Sequence, residues 1–201
     1  TYCDAILNAR GVGAPAFLAT ATHSSWFSMF NPGNSNESIF EIQYNYEENQ
    51  TNNLPKLFDN EHADGIYRIS RALTQMFNSE YSATLYEMKE AVRSMYGGYF
   101  VGPDATIFES ATVSYVWKYL GSQTLSDKRT ASYYDPNFII YRVADVMLMK
   151  AEALILRTHG ENIEDKVEAM KLINEIRTRS NLEIEVEATA EAVEPLDEEA
   201  M

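Results

Sequence analysis

The chain has one cysteine in 201 residues, Cys3, so no internal disulfide can form and cysteine pairing says nothing about redox compartment. Histidine is nearly as scarce. His23, His62 and His159 lie far apart in loop-like surroundings, which predicts turn or surface residues and no zinc site. No stretch approaches the roughly 18 consecutive apolar residues of a membrane-crossing helix. Positive charge is short as well: 16 Lys and Arg face 30 Asp and Glu, a formal charge of −14, and only Arg10 and Lys56 are basic before Arg68. Such an excess repels phosphate, which argues against nucleic acid and anionic lipid surfaces as partners.

Catalytic signatures are also missing. There is no G-x-S-x-G elbow, no H-E-x-x-H helix and no G-x-x-x-x-G-K-[ST] loop, and Gly11-Val-Gly13 lacks the third glycine of a dinucleotide-binding turn. The chain is therefore expected not to be an enzyme, with no catalytic residue, metal or cofactor assigned. Paired carboxylates, which an acidic chain offers in many combinations, leave a glycoside hydrolase relative as the enzymatic alternative.

What is present is a globular composition, 45% hydrophobic and 12% aromatic with 13 Tyr, at a length that suits one domain. The strongest periodicity lies near the end. Ile140, Val143, Ala144, Met147, Ala151 and Leu154 recur at helical spacing, and Ala169, Leu172, Ile173 and Ile176 repeat the pattern. Gly160 suits a helix terminator and Asn162 a cap between them. This predicts antiparallel helices over about 137–157 and 164–180, packed through Met147, Ala151, Leu154, Leu172 and Ile176, as in one hairpin of a tetratricopeptide-type array. The expected fold is mainly α, with tetratricopeptide-like helical hairpins, a loop-rich region and one or two short β-strand pairs.

The run Tyr141-Arg-Val-Ala-Asp-Val-Met-Leu-Met-Lys-Ala-Glu-Ala-Leu154, followed by Ile173-Asn-Glu-Ile-Arg-Thr-Arg179, resembles the SusD/RagB family. Asn36-Glu-Ser-Ile-Phe-Glu-Ile-Gln-Tyr44 and Val116-Trp-Lys-Tyr119 with Asp127-Lys-Arg129 agree with it in order, so the resemblance covers roughly residues 1–182. It implies a glycan-binding lipoprotein on the outer-membrane surface of Bacteroidetes. Such a protein would bind an oligosaccharide without breaking bonds and deliver it to a TonB-dependent transporter of the SusC type. The lipid anchor is expected in the full-length protein. Cys3 is not its site, because Tyr2, Ala5, Ile6 and Ala9 around it follow helical spacing and predict a packed thiol. The chain is expected to be an excerpt, partial at both ends of a domain over 1–182, with 183–201 an acidic, solvated tail leading into a truncated helix. The alternative from another class is a tetratricopeptide-type module that binds a peptide or protein.

Elsewhere the pattern is shorter-ranged. Residues 1–10 read as helix, and Leu85, Met88, Val92 and Met95 mark helical stretches within 66–95. Residues 39–46 alternate, predicting a half-buried strand with Phe40, Ile42, Tyr44 and Tyr46 on the buried face. Val113, Tyr115, Trp117 and Tyr119 alternate as a second extended piece, and Pro136 is placed in the first turn of the hairpin. Sugars stack their C–H faces on flat rings and need amide or carboxylate partners at the rim. Tyr96 and Tyr99, set around Gly97-Gly98 with Asp104 nearby, are the first candidates for ligand contact. Trp26 and Phe27, beside the turn Asn31-Pro-Gly-Asn-Ser-Asn36, come next.

Overall fold

A computed structural model describes residues 2–18, 27–30, 32–59, 66–67, 117–120, 134–180, 182 and 184–201. In chain order the elements are helix α1 (Tyr2–Leu7), strand β1 (Ser38–Ile42), a 3-10 turn (Tyr46–Glu48), short helices α2 (Leu54–Phe58) and α3 (Trp117–Leu120), strand β2 (Phe138–Arg142), helices α4 (Val143–Leu156) and α5 (Ile163–Arg179), and a final helical turn α6 (Ala190–Val193). The architecture is mainly helical, and β1 and β2 pair as a two-stranded sheet. The chain divides into two compact units. The first comprises Thr1–Thr20, Asn36–Phe40 and Tyr141–Met201; the second comprises Ala21–Ser35 and Glu41–Ile140.

The first unit is organised by the hairpin of α4 and α5. Ala151, Leu154 and Ile155 of α4 close on Ala169 of α5, with Leu172 and Ile173 packed against them. Arg157 pairs with Asp165 near the turn, and Lys150 pairs with Glu168 farther from it, so the helices run antiparallel. The first helix ends at Leu156 with Arg157 as its cap, and the chain then turns through His159 at φ +50° and Gly160 at φ +68°, conformations that side chains rarely adopt. The Asn162 side chain accepts the Asp165 N–H at 3.0 Å and opens the second helix. Lys150 also reaches Asp4 at 2.7 Å and ties α1 to α4.

The first predicted helix starts six residues later than its periodicity implied. Phe138–Arg142 is a strand, because its β-branched and aromatic residues find β1 as a partner. Arg142 is extended at φ −138°, and Asp145 turns back to accept its N–H at 3.0 Å, which starts the helix at Val143. Pro136 accordingly sits in the extended lead-in to β2, not in a first helical turn. The strand expected at Trp117 and Tyr119 is instead the helical turn α3; residues 113–116 lie outside the described residues. So do the helical stretches expected within 68–95.

The alternation predicted for 39–46 does not hold: Ile39, Phe40, Ile42, Gln43 and Tyr46 are exposed, and only Glu41 and Tyr44 are half-buried. Phe40 is 58% exposed. Glu41 turns inward because its carboxylate is satisfied there, accepting from the Asn137 side chain at 2.7 Å and from the Asn34 N–H. The acidic tail packs on α5. Val193 is fully buried, and the buried Lys166 ammonium donates to the carbonyls of Val193 (3.5 Å), Glu194 (3.3 Å) and Leu196. Its described acids remain exposed, so the segment docks through Val193, Met201 and its backbone, and Glu185 meets Arg177 at the surface.

Candidate functional site

The Asn-rich turn beside the sequence-nominated aromatics is built by one residue, Asn137. Its side-chain N–H groups donate to Pro32 O at 3.2 Å and Glu41 Oε1 at 2.7 Å, its Oδ1 accepts the Tyr44 N–H at 3.1 Å, and its own N–H donates to Phe30 O at 3.1 Å. The residue is 2% exposed, so nearly all its polar capacity is spent inside the protein. Gly33, at φ +81°, crosses directly over it, and a Cβ there would stand 2.1 Å from Asn137 Nδ2. Only glycine fits both the conformation and the space. Asn34 follows at φ 53°, and its side-chain oxygen accepts from Gln43 at 2.6 Å.

The outer edge of this clamp carries the exposed amides of Asn34 and Gln43, with Tyr44 half-buried beyond them and Tyr46 more open. Amide donors and acceptors fixed on a rigid turn beside phenol rings have the chemistry to meet hydroxyl groups. Phe27 sits below the turn with its ring fully enclosed and no face open to solvent. Trp26, Tyr96, Tyr99 and Asp104 lie outside the described residues.

A second polar anchor in the same unit holds the approach to β2. Asn52 takes Tyr134 O with its backbone N–H at 2.6 Å and Pro136 O with its side chain at 2.9 Å, while its Oδ1 accepts the Leu54 N–H. The Tyr134 hydroxyl donates to Asp59, both fully buried. Burial, and then the neighbouring carboxylate, push the Tyr134 hydroxyl well above its ordinary range, so it stays protonated and serves as a fixed donor.

In the first unit the central polar feature is Glu37 with Arg179. One guanidinium nitrogen lies 2.7 and 2.6 Å from the two carboxylate oxygens, and both side chains are 1% exposed. Glu37 also accepts the Leu18 N–H at 3.1 Å, its carbonyl accepts the Val143 N–H at 2.9 Å, and the Arg179 guanidinium lies 4.2 Å from the centre of the Phe17 ring. Burial draws the Arg179 proton affinity below its ordinary value, against the pull of Glu37. The α5 terminus predicts Arg177 and Arg179 as complements to its negative pole. Arg179 instead turns inward to this pair, and Arg177 meets Glu185 at 3.2 Å. Among the described residues no group of acids, histidines and cysteine converges as a metal site.

The SusD family model matches residues 67–199, which includes the hairpin, Arg179 and the docked tail. The chain belongs to the SusD family. No curated protein and no solved structure matches it. In SusD-family terms the hairpin motif that carries the resemblance is architectural: Arg142 pairs with Asp145 at 3.6 Å, and the apolar positions form the helix contact. Strand β1, with Glu37 just before it, lies upstream of the matched residues.

Periodicity missed Asn137, Glu37, Arg179 and Asn52. Each is a polar residue whose partners are distant in sequence. The usable signals were a glycine inside an Asn-rich turn, and a glutamate immediately before an alternating apolar run.

Proposed function

We propose that this chain is the glycan-capturing part of an outer-membrane uptake system, exposed at the cell surface. It binds an oligosaccharide without cleaving it and passes it to a SusC-like, TonB-dependent transporter. The observation that carries this reading is the SusD family match over residues 67–199. The net charge of −14 favours a neutral sugar over a phosphorylated ligand, because a polyanion would be repelled. The clamped turn with exposed Asn34 and Gln43 supports it chemically, since amides read hydroxyls well.

Tyr96 and Tyr99 are the stacking rings of this reading, with Asp104 accepting a hydroxyl and Trp26 contributing from the neighbouring turn; the enclosed Phe27 is withdrawn as a contact. The test is calorimetric titration of the full-length protein with a panel of neutral oligosaccharides, repeated with Tyr96→Ala and Tyr99→Ala. One ring contributes on the order of 1 kcal/mol, so a micromolar to millimolar Kd is expected, changing little with salt and weakening in both variants. Unchanged affinity in both variants removes these rings from the site. Failure of every neutral glycan to bind, with tight binding of a charged polysaccharide, overturns the neutral-ligand reading.

A further inference from the structure

Helix α4 is apolar nearly all round: of its 14 residues only Asp145, Lys150 and Glu152 are charged. A helix of that kind needs cover on every side. α5 takes the side of Ala151, Leu154 and Ile155, and α1 packs on another. A third side stays open, with Leu148, Met149 and Leu156 exposed. Leu148, Ala151, Glu152, Ile155 and Leu156 follow i, i+3, i+4, i+7, i+8 spacing and form one wall of a groove of about 520 Å³. Ile173 forms its floor beside Glu198, Glu199 and Met201 from the docked tail. Volume and spacing together suit the apolar stripe of one helix laid along α4.

The rim decides what kind of helix. Glu152, Glu198 and Glu199 line the groove, and no Lys or Arg is among its lining residues. A second copy seated through the same groove would set acidic rim against acidic rim, which like-charge contact disfavours. We propose that the groove receives an amphipathic helix of a partner protein, with leucine-like residues at i, i+3 or i+4 and i+7 and with Lys or Arg flanking that stripe. The apolar residues fill the channel over Leu148 and Ile155, and the basic flanks meet Glu152, Glu198 and Glu199. This surface is independent of the glycan reading, since none of its residues is a nominated sugar contact.

The test titrates the full-length protein with a fluorescent helical peptide carrying Leu at those positions and Lys on the flanks. Two controls accompany it: the same peptide with Glu for Lys, and a scrambled sequence of equal composition. Fluorescence anisotropy should show saturable binding of the first peptide alone. Leu148→Glu, and separately the pair Glu198→Lys with Glu199→Lys, should weaken it by about tenfold or more. The exposed pair Glu47→Lys with Glu48→Lys, on the 3-10 turn and not among the groove's lining residues, should change it by less than about twofold. Circular dichroism melts check that each variant is folded, and the charge reversals at exposed Glu198 and Glu199 keep the test valid if Leu148→Glu unfolds. Equal binding of a control peptide, or equal weakening by the Glu47 and Glu48 reversals, would reduce the attraction to bulk charge and overturn the proposal. A concentration-dependent dimer abolished by Leu148→Glu would assign the groove to a second copy and overturn it as well.

Discussion

Arg179, the last residue of α5, places one guanidinium nitrogen 2.6 and 2.7 Å from the carboxylate oxygens of Glu37, 142 residues earlier in the chain. Neither side chain reaches water. The pair therefore fixes the end of α5 against the segment before β1, and Glu37 adds the Leu18 and Val143 N–H groups to the same point.

Removing one partner of this pair should be far worse than removing both. Arg179→Ala leaves Glu37 as a buried, uncompensated charge and should destabilise by about 3–5 kcal/mol. Replacing the pair together, Glu37→Leu with Arg179→Met, should cost much less, because no charge is stranded. Urea denaturation of the three proteins measures the difference. A loss below about 1 kcal/mol for Arg179→Ala would mean that water reaches the pair in solution.

Gly33 and Asn137 act as one clamp and should fail together. Gly33→Ala forces a Cβ into Asn137 at a backbone angle that side chains avoid, and Asn137→Ala leaves the Tyr44 N–H, the Pro32 carbonyl and the Glu41 carboxylate to find new partners. Each should cost about 1–3 kcal/mol. The double variant should cost clearly less than the sum, because the first change already opens the turn. A strictly additive cycle in thermal melts would show that the turn is held by other contacts.

Stability should fall at both pH extremes through named groups. The folded protein raises the Tyr134 pKa above the unfolded value near 10, so its contribution is complete below that pH and is lost as pH rises further. Tyr134→Phe should flatten the alkaline limb of a stability profile. Asp165 is the opposite case: its bond to Arg157 lowers its pKa, so its contribution is present above the ordinary carboxylate range and lost as pH falls through the lowered value. Asp165→Asn should flatten the acid limb. Profiles that keep their wild-type shape in both variants would place the titrating groups elsewhere.

The hairpin core should respond unevenly to truncation. Met147 is buried, whereas Ile176 keeps partial exposure. Met147→Ala should therefore cost about 2–4 kcal/mol and Ile176→Ala about half as much or less, since the cost follows the buried volume left empty. Chemical denaturation that ranks Ile176 first would contradict the packing described here.

Helical periodicity made α4 and α5 legible, together with Gly160 in the turn between them and the cap Asn162, because all of these depend on neighbours within a few residues. The same reasoning carried the second helix to within a residue at each end. It overran the start of the first, since the apolar residues 138–142 satisfy a helix stripe and a strand equally well. The partner strand β1 decided between them, and β1 is distant in sequence.

Sequence by itself determined the helical class, the hairpin and the SusD family resemblance, all of which rest on short-range spacing and on a contiguous motif. Tertiary structure alone decided which residues of β1 turn inward, where Arg179 points and what Asn137 holds. Alternation marks two faces without saying whether either is buried. Glu41 turns inward because Asn137 and the Asn34 N–H satisfy its carboxylate there, leaving Phe40 to the surface. A buried charge or amide is stable only when its partners converge on it, and those partners are brought together by the fold from segments as far apart as Glu37 and Arg179.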